Sequence, residues 1–203
     1  FMIFSNNEEY LIENRQPRSG AFYATASRTS AFFNAFREQD KDLLSKVKYT
    51  PSVPEGTVKQ ILLHRNCPQL PALPEFSTNL QPTTPTNRIL TSMLSQERLL
   101  FLLRYGIAYV EMTKENKNGD KVTELQKHIM RYQQFFATLA IRRTLDAGLR
   151  SGIIWHTQGS GKTALAYYNV KSLTHYYARK HMPVKFYFIV DRLDLLEQAS
   201  SEF

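Results

Sequence analysis

Ser151 to Val170 reads SGIIWHTQGSGKTALAYYNV. An apolar run (Gly152 to Trp155) breaks into a loop with two glycines, and Lys162 and Thr163 then open a helix-like stretch. The order implied from there is a strand at 152–156, a loop, a helix over about 162–179, a strand in VKFYFIV (184–190) and a helix from about 193. That is a βαβ unit. Its apolar strands imply an α/β fold with a parallel sheet covered on both faces.

The loop has the composition of a phosphate cradle. Backbone N–H groups of Thr157, Gln158, Gly159, Ser160, Gly161, Lys162 and Thr163 can converge on an anion, helped by the positive end of the helix that starts at Lys162. Gly159 and Gly161 admit close approach and backbone angles that a Cβ blocks. Lys162 is placed to meet the β- and γ-phosphates of a nucleoside triphosphate, and the Thr163 hydroxyl to hold its Mg²⁺. The general pattern GxxxxGK[ST] asks for glycine at 156, where this chain has His156.

The single Cys67 excludes an internal disulfide framework and, with no Cys/His spacing of the zinc type, points to a cytosolic compartment. No apolar run reaches the roughly 20 residues of a membrane span. The formal charge is +8, and it is unevenly spread: residues 1–100 hold 11 basic against 9 acidic side chains, and residues 101–203 hold 15 against 9. The basic excess accompanies the loop, which suits a nucleotide or nucleic-acid partner as well as a solvated surface.

Upstream, residues 1–48 read as a small α/β remnant. FMIF and GAFYATA are strand-like, and Phe32, Phe33, Phe36, Leu43 and Leu44 fall at roughly helical spacing. Residues 49–87 gather seven of the nine prolines and read as a proline-rich linker. Residues 88–127 form a connector, with two short helical pieces that Ser95 can cap and Gly106 can end, then a hairpin of IAYVEMT and KVTELQ around Asn118-Gly119. From 128 a helix carries Phe135, Phe136, Leu139, Ile141 and Leu145 and closes at Gly148.

Three segments resemble the restriction subunit of type I restriction-modification enzymes: GIIWHTQGSGKT, RYQQFFA at 131–137, and FIVDRLDLLEQ downstream of the loop. MLSQERLLFLLRYGIAYVEM resembles the region that joins nuclease and motor in that family, and FMIFSNNEEY the strand after its nuclease motifs. Superfamily 2 motors relax the first glycine of the loop, which accommodates His156; only through this resemblance does His156 join the residues that bind the phosphates. The resemblance implies a RecA-like motor domain beginning near 128, of which this chain holds the N-terminal part, behind the tail of a nuclease domain. It also implies ATP and Mg²⁺ as cofactors, double-stranded DNA as the track, and the modification and specificity subunits as partners. Gln133, or else Gln134, becomes the reader of the adenine edge. Arg192 becomes a contact to a DNA phosphate or a brace for the loop; it can equally pair with Asp191 or Asp194. Another superfamily 2 helicase or remodeller, or a module whose docking surface is gated by a nucleotide, shares the loop.

No DExx or DEAH acidic motif occurs in the sequence, so the carboxylate that holds the metal for hydrolysis has no candidate here. Glu111 and Lys114 in EMTK are the nearest approach to a nuclease pair. Two residues separate them, which sends their side chains to opposite faces of a strand. The sequence therefore implies a segment that binds ATP but neither hydrolyses it nor cuts DNA alone.

Overall fold

Chain reversal at Gly119, where φ is +85°, divides two nine-residue strands that pair antiparallel along their whole length. The computed structural model in which this hairpin is seen describes residues 1–10, 17–25, 32–40, 42, 53–80, 87, 89–115 and 119–189. The elements in order are β1 (Met2–Tyr10), β2 (Pro17–Ala24), β3 (Asn34–Phe36), α1 (Glu55–His64), a 3₁₀ turn (Leu70–Ala72), α2 (Pro74–Leu80), a π-helical turn (Ile89–Met93), α3 (Gln96–Tyr105), β4 (Ile107–Glu115), β5 (Lys121–Ile129), α4 (Tyr132–Asp146) and α5 (Lys162–Ala178). The chain divides into two units, one of residues 3–23 and 35–98, the other of residues 1–2, 24–34 and 99–203.

The first unit contains most of the sheet ordered β1-β2-β3. Ala21, Phe22, Tyr23 and Phe36 are buried, and the Tyr23 and Phe36 rings meet edge to face at 6.2 Å. Phe36 therefore belongs to a strand, against the helix expected across Phe32 to Leu44, because alternation of inward and outward residues satisfies this aromatic-rich stretch better than a helical face. Leu43 and Leu44 lie outside the described residues. Behind the sheet, Ile89 and Met93 are buried, and Arg98 (6% exposed) donates to Glu38 at 2.6 Å and approaches Asp40 at 3.6 Å. Ser92 Oγ also donates to Glu38. Two carboxylates and a hydroxyl thus meet one buried guanidinium, the arrangement a buried charge requires.

Residues 49–87, expected as a linker, contain helices. The prolines do not break them; they start them. Pro54 precedes α1, Pro71 lies in the first turn of the 3₁₀ segment, and Pro74 is the first residue of α2, positions where the fixed φ suits a helix and the missing N–H has no partner to lose. None of the residues of α1 is buried.

The second unit is built on the hairpin and three helices. Phe101, Leu102 and Tyr105 of α3 are buried, and the residue after the helix is glycine because a Cβ at Gly106 would lie 2.6 Å from Leu102 Cδ1 and 2.8 Å from its carbonyl oxygen. The hairpin keeps the register Ile107↔Ile129 to Glu115↔Lys121. Its base is anchored by buried Ala108, Ile129 and Met130, with Met130 N–H donating to Gly106 O at 2.8 Å; its far half is exposed, Glu111 and Lys114 included. In α4, Phe135 is fully buried and meets Phe101 edge to face at 5.7 Å. Helix α5 buries Leu165, Tyr168, Asn169, Ser172 and Tyr176, one stripe at helical spacing, and Tyr176 donates to Asp146 of α4 at 2.6 Å.

The βαβ expectation meets the structure only in its helix. Residues 151–157 and 182–189 form no strand, and Ile153, Trp155, Tyr187 and Ile189 are 92%, 91%, 81% and 95% exposed. A fully buried strand of a parallel sheet needs hydrogen-bonding neighbours on both sides, and these segments pair with nothing among the described residues. Mixed α/β with small sheets is what the described residues form. The last residue of the second expected strand and the helix from 193 lie outside the described residues.

Candidate nucleotide-binding site

Helix α5 sets the site. Gly161, immediately before it, has φ +79° and ψ +49°, a left-handed conformation that costs a residue with a Cβ about 1–2 kcal/mol. Gly159 also has positive φ, +75°. The helical ladder begins where Leu165 N–H donates to Gly161 O at 3.0 Å, so the N–H groups of Lys162, Thr163 and Ala164 stand before it with no intrahelical acceptor. They form the positive end of a 17-residue helix. Thr163 is half-buried in this first turn.

The loop curls around its own lysine. Lys162 Nζ donates to Thr157 O at 3.2 Å and to His156 O at 3.5 Å, while Ser160 N–H donates to Thr157 O at 3.4 Å. Gln158 is exposed at the turn. The ammonium therefore lies across carbonyl oxygens, weak partners that an anion displaces at small cost.

Two residues of the preceding segment hold the loop in place. Gln134, 3% exposed, accepts from the Arg131 N–H at 2.8 Å, capping the start of α4, and donates through Nε2 to Gly161 O at 2.9 Å. The Arg131 guanidinium donates to Gly159 O at 3.2 Å. Gly161 is glycine for a second reason here, since a Cβ would lie 2.5 Å from Gln134 Nε2. Sequence reasoning left Gln133 and Gln134 as alternatives for the adenine edge and gave Arg131 no role. The signal for Arg131 was its position three residues before Gln134, the spacing of a helix cap and its third residue.

Three polar atoms at or beside the site are buried with no hydrogen-bond partner: Gln133 Oε1, His156 Nδ1 and Ser160 Oγ. Buried polar groups are ordinarily satisfied, and two exceptions within one loop, His156 and Ser160, suit a polar ligand. Gln133 and Gln134 thus differ in what is left of them: the amide of Gln134 is bonded within the protein at both ends, and that of Gln133 keeps a buried free acceptor. Arg192 lies outside the described residues.

Farther along α5, His175 joins the three helices of the unit. Arg104 donates to its Nε2 at 2.8 Å, which leaves Nδ1 to carry the proton toward Tyr105 Oη at 2.5 Å. Desolvation first, then Arg104, Arg179 and Arg142, hold the imidazole below its ordinary pKa. Burial likewise pushes the Tyr168 hydroxyl up, with Tyr167 adding to it.

Residues 133–203, which include the loop, its lysine and the helix behind it, match the SWI2/SNF2 ATPase family. The chain is also 38% identical, over 119 residues, to a Methanocaldococcus jannaschii protein named "Putative type I restriction enzyme MjaVIIP endonuclease subunit"; the match covers 55% of this chain and 10% of that protein. No solved structure matches the chain. The chain spans about a tenth of the length of that protein. Among the described residues no helix is long and apolar enough to cross a membrane.

Proposed function

We propose that this chain is the ATP-binding segment of the restriction subunit of a type I restriction enzyme, the part that leads from the nuclease domain into the first RecA-like motor domain. The observation that carries the reading is the loop 156–163: Lys162 folded across it, three helix N–H groups behind it, and unpartnered buried atoms of its own His156 and Ser160. On binding, Lys162 leaves the His156 and Thr157 carbonyls for the β- and γ-phosphates, and the N–H groups of Lys162 to Ala164 take the remaining oxygens. Thr163 supplies the hydroxyl for Mg²⁺, whose part is to neutralise phosphate charge. Gln133 reads the adenine edge, its amide able both to donate and to accept; Gln134 and Arg131 keep the loop in register. The whole subunit would move double-stranded DNA at the expense of ATP and cut it, in complex with modification and specificity subunits in the cytoplasm, with Arg192 meeting a DNA phosphate.

The sequence holds no DExx or DEAH motif for the metal, and on this reading the segment binds without turnover. Trp155, one residue before the loop, is the only tryptophan and reports on it. Titration of the chain with Mg-ATP or Mg-ADP changes its fluorescence with a sub-millimolar to millimolar midpoint, and Lys162→Ala abolishes the change. A response that survives Lys162→Ala refutes the assignment of the loop. Phosphate release that Lys162→Ala abolishes refutes the claim of binding without turnover.

A further inference from the structure

Beside the hairpin lies a cleft of about 470 Å³, within the range of sites that hold a molecule of nucleotide size. The register explains its lining. Val110 pairs with Gln126 and Ala108 with His128, so Gln126 and His128 share a face with Met112 and Lys114. Lys127 occupies the other face, its ammonium 5.7 Å from the Tyr109 ring, and gives the cleft its backbone. Thr25 Oγ1 donates to Lys127 O at 2.6 Å, which fixes the opposite wall. That wall brings Asn34 and Phe32, and Arg131 closes the end. Phe32 is 84% exposed, a ring in water with nothing of the protein folded over it.

We propose that this cleft takes one strand of DNA, its phosphodiesters meeting Lys114, His128 and Arg131 and one unstacked base lying against Phe32, with Gln126 and Asn34 at the base edge. The cations Lys114 and Arg131, with the His128 imidazole as a hydrogen-bonding partner, follow the backbone and an aromatic face takes a base, the two parts of a single-strand site. No carboxylate lines the cleft; the nearest acid, Glu124, holds Lys114 only loosely at 3.8 Å with the lysine half exposed, a pair that a phosphate displaces readily. A duplex is too wide for this volume, and one strand with a base turned out fits it. Arg131 belongs to both sites, since it also donates to Gly159 O of the phosphate loop. A strand that draws Arg131 away frees that carbonyl, so strand and nucleotide are coupled through one side chain; this clause alone rests on the nucleotide reading above.

The test is fluorescence anisotropy of a labelled oligothymidylate of about 12 nucleotides at about 50 and 200 mM salt. Lys114→Gln/His128→Gln weakens binding about fivefold or more and flattens the salt dependence, and Phe32→Ala weakens it about tenfold. The charge-matched pair Lys59→Gln/His64→Gln, on exposed positions of α1, stays within about twofold. Lys162→Ala leaves strand binding intact while abolishing the Trp155 response, so failure of the nucleotide reading is seen separately. Equal losses in the two charge-matched pairs, no loss on Phe32→Ala, no strand binding at low salt, or displacement of the strand by thymidine monophosphate at equal concentration each overturn the proposal, the last in favour of a mononucleotide pocket.

Discussion

Replacing Gln134 by glutamate separates the two roles open to that side chain. The substitution keeps the shape and exchanges one NH₂ for an oxygen. At the α4 end the acceptor survives: a carboxylate still takes the Arg131 N–H, now 2.8 Å away, and gains from the helix N-terminus by roughly 0.3–1 kcal/mol. At the loop end the bond inverts, because an oxygen replaces the donor that stood 2.9 Å from Gly161 O. Losing that bond in a site only 3% exposed and setting a charge against a carbonyl that keeps only the Leu165 N–H together cost about 2–3 kcal/mol. The net loss is about 2 kcal/mol, which lowers the melting midpoint by about 4–8 °C for a chain of this size. The loop moves with Gly161, so ATP and GTP weaken by a similar factor.

Two measurements suffice: thermal unfolding by circular dichroism, and Trp155 titrations with each nucleotide. A structural Gln134 predicts a lower midpoint with the ATP to GTP ratio unchanged. If the midpoint stays within a degree of the parent while the preference for ATP disappears, the side chain reads the base and the two hydrogen bonds do not describe its function.

Gln133→Ala does the opposite, costing ATP about 1–3 kcal/mol more than GTP with little change in melting, because only the buried free Oε1 of Gln133 is lost; equal losses for both nucleotides would sink the base-reading role. The pH dependence follows from His175. Its folded pKa is below the ordinary value of 6.5, so the unfolded chain takes up the proton first and stability falls as pH drops from about 6.5 toward the folded pKa. His175→Gln removes that slope in melting experiments between about pH 7 and 5, and a slope that persists would place its origin elsewhere.

The sequence made the hairpin legible because its signals are local. Turn chemistry at Asn118-Gly119 and alternation on either side determine an antiparallel pair without help from the rest of the chain. Helices α4 and α5 were legible for the same reason, as was the glycine-bearing loop ahead of α5, with Gly159 and Gly161 at positive φ. Three things were not. The prolines of 51–85 were read by composition, whereas their positions relative to helix starts decide what they do. Phe32 to Phe36 offered both periods, and only neighbouring strands choose between them. Strands 152–156 and 184–190 have the right composition, but a parallel strand is specified by partners distant in sequence. Within the site, the choice between Gln133 and Gln134 turns on one residue of helical rotation, about 100°, which no motif spacing resolves.

The exposed segments on either side of α5 give the last prediction. Trp155 and Tyr187 are 91% and 81% exposed and lie in extended chain with no strand partner, so both suit chymotrypsin, which needs an aromatic residue in a segment it can draw into its cleft. The two sites differ in one respect. Trp155 precedes His156, whose carbonyl Lys162 holds and whose Nδ1 is buried without a partner; Tyr187 has no such tie to the loop. A nucleotide that recruits Lys162, Ser160 and the helix N–H groups fixes residues 156–163 and with them the peptide after Trp155. Cleavage there slows in proportion to the fraction bound, and cleavage at Tyr187 continues unchanged, serving as an internal control for the protease. Under mild digestion, fragment masses should therefore show the Trp155 cut fading with Mg-ADP in the parent chain and persisting in Lys162→Ala. Equal protection at both aromatics would mean that the ligand tightens the whole unit and is not held by the loop. Protection at Tyr187 alone would move the nucleotide to the far end of α5 and overturn the site.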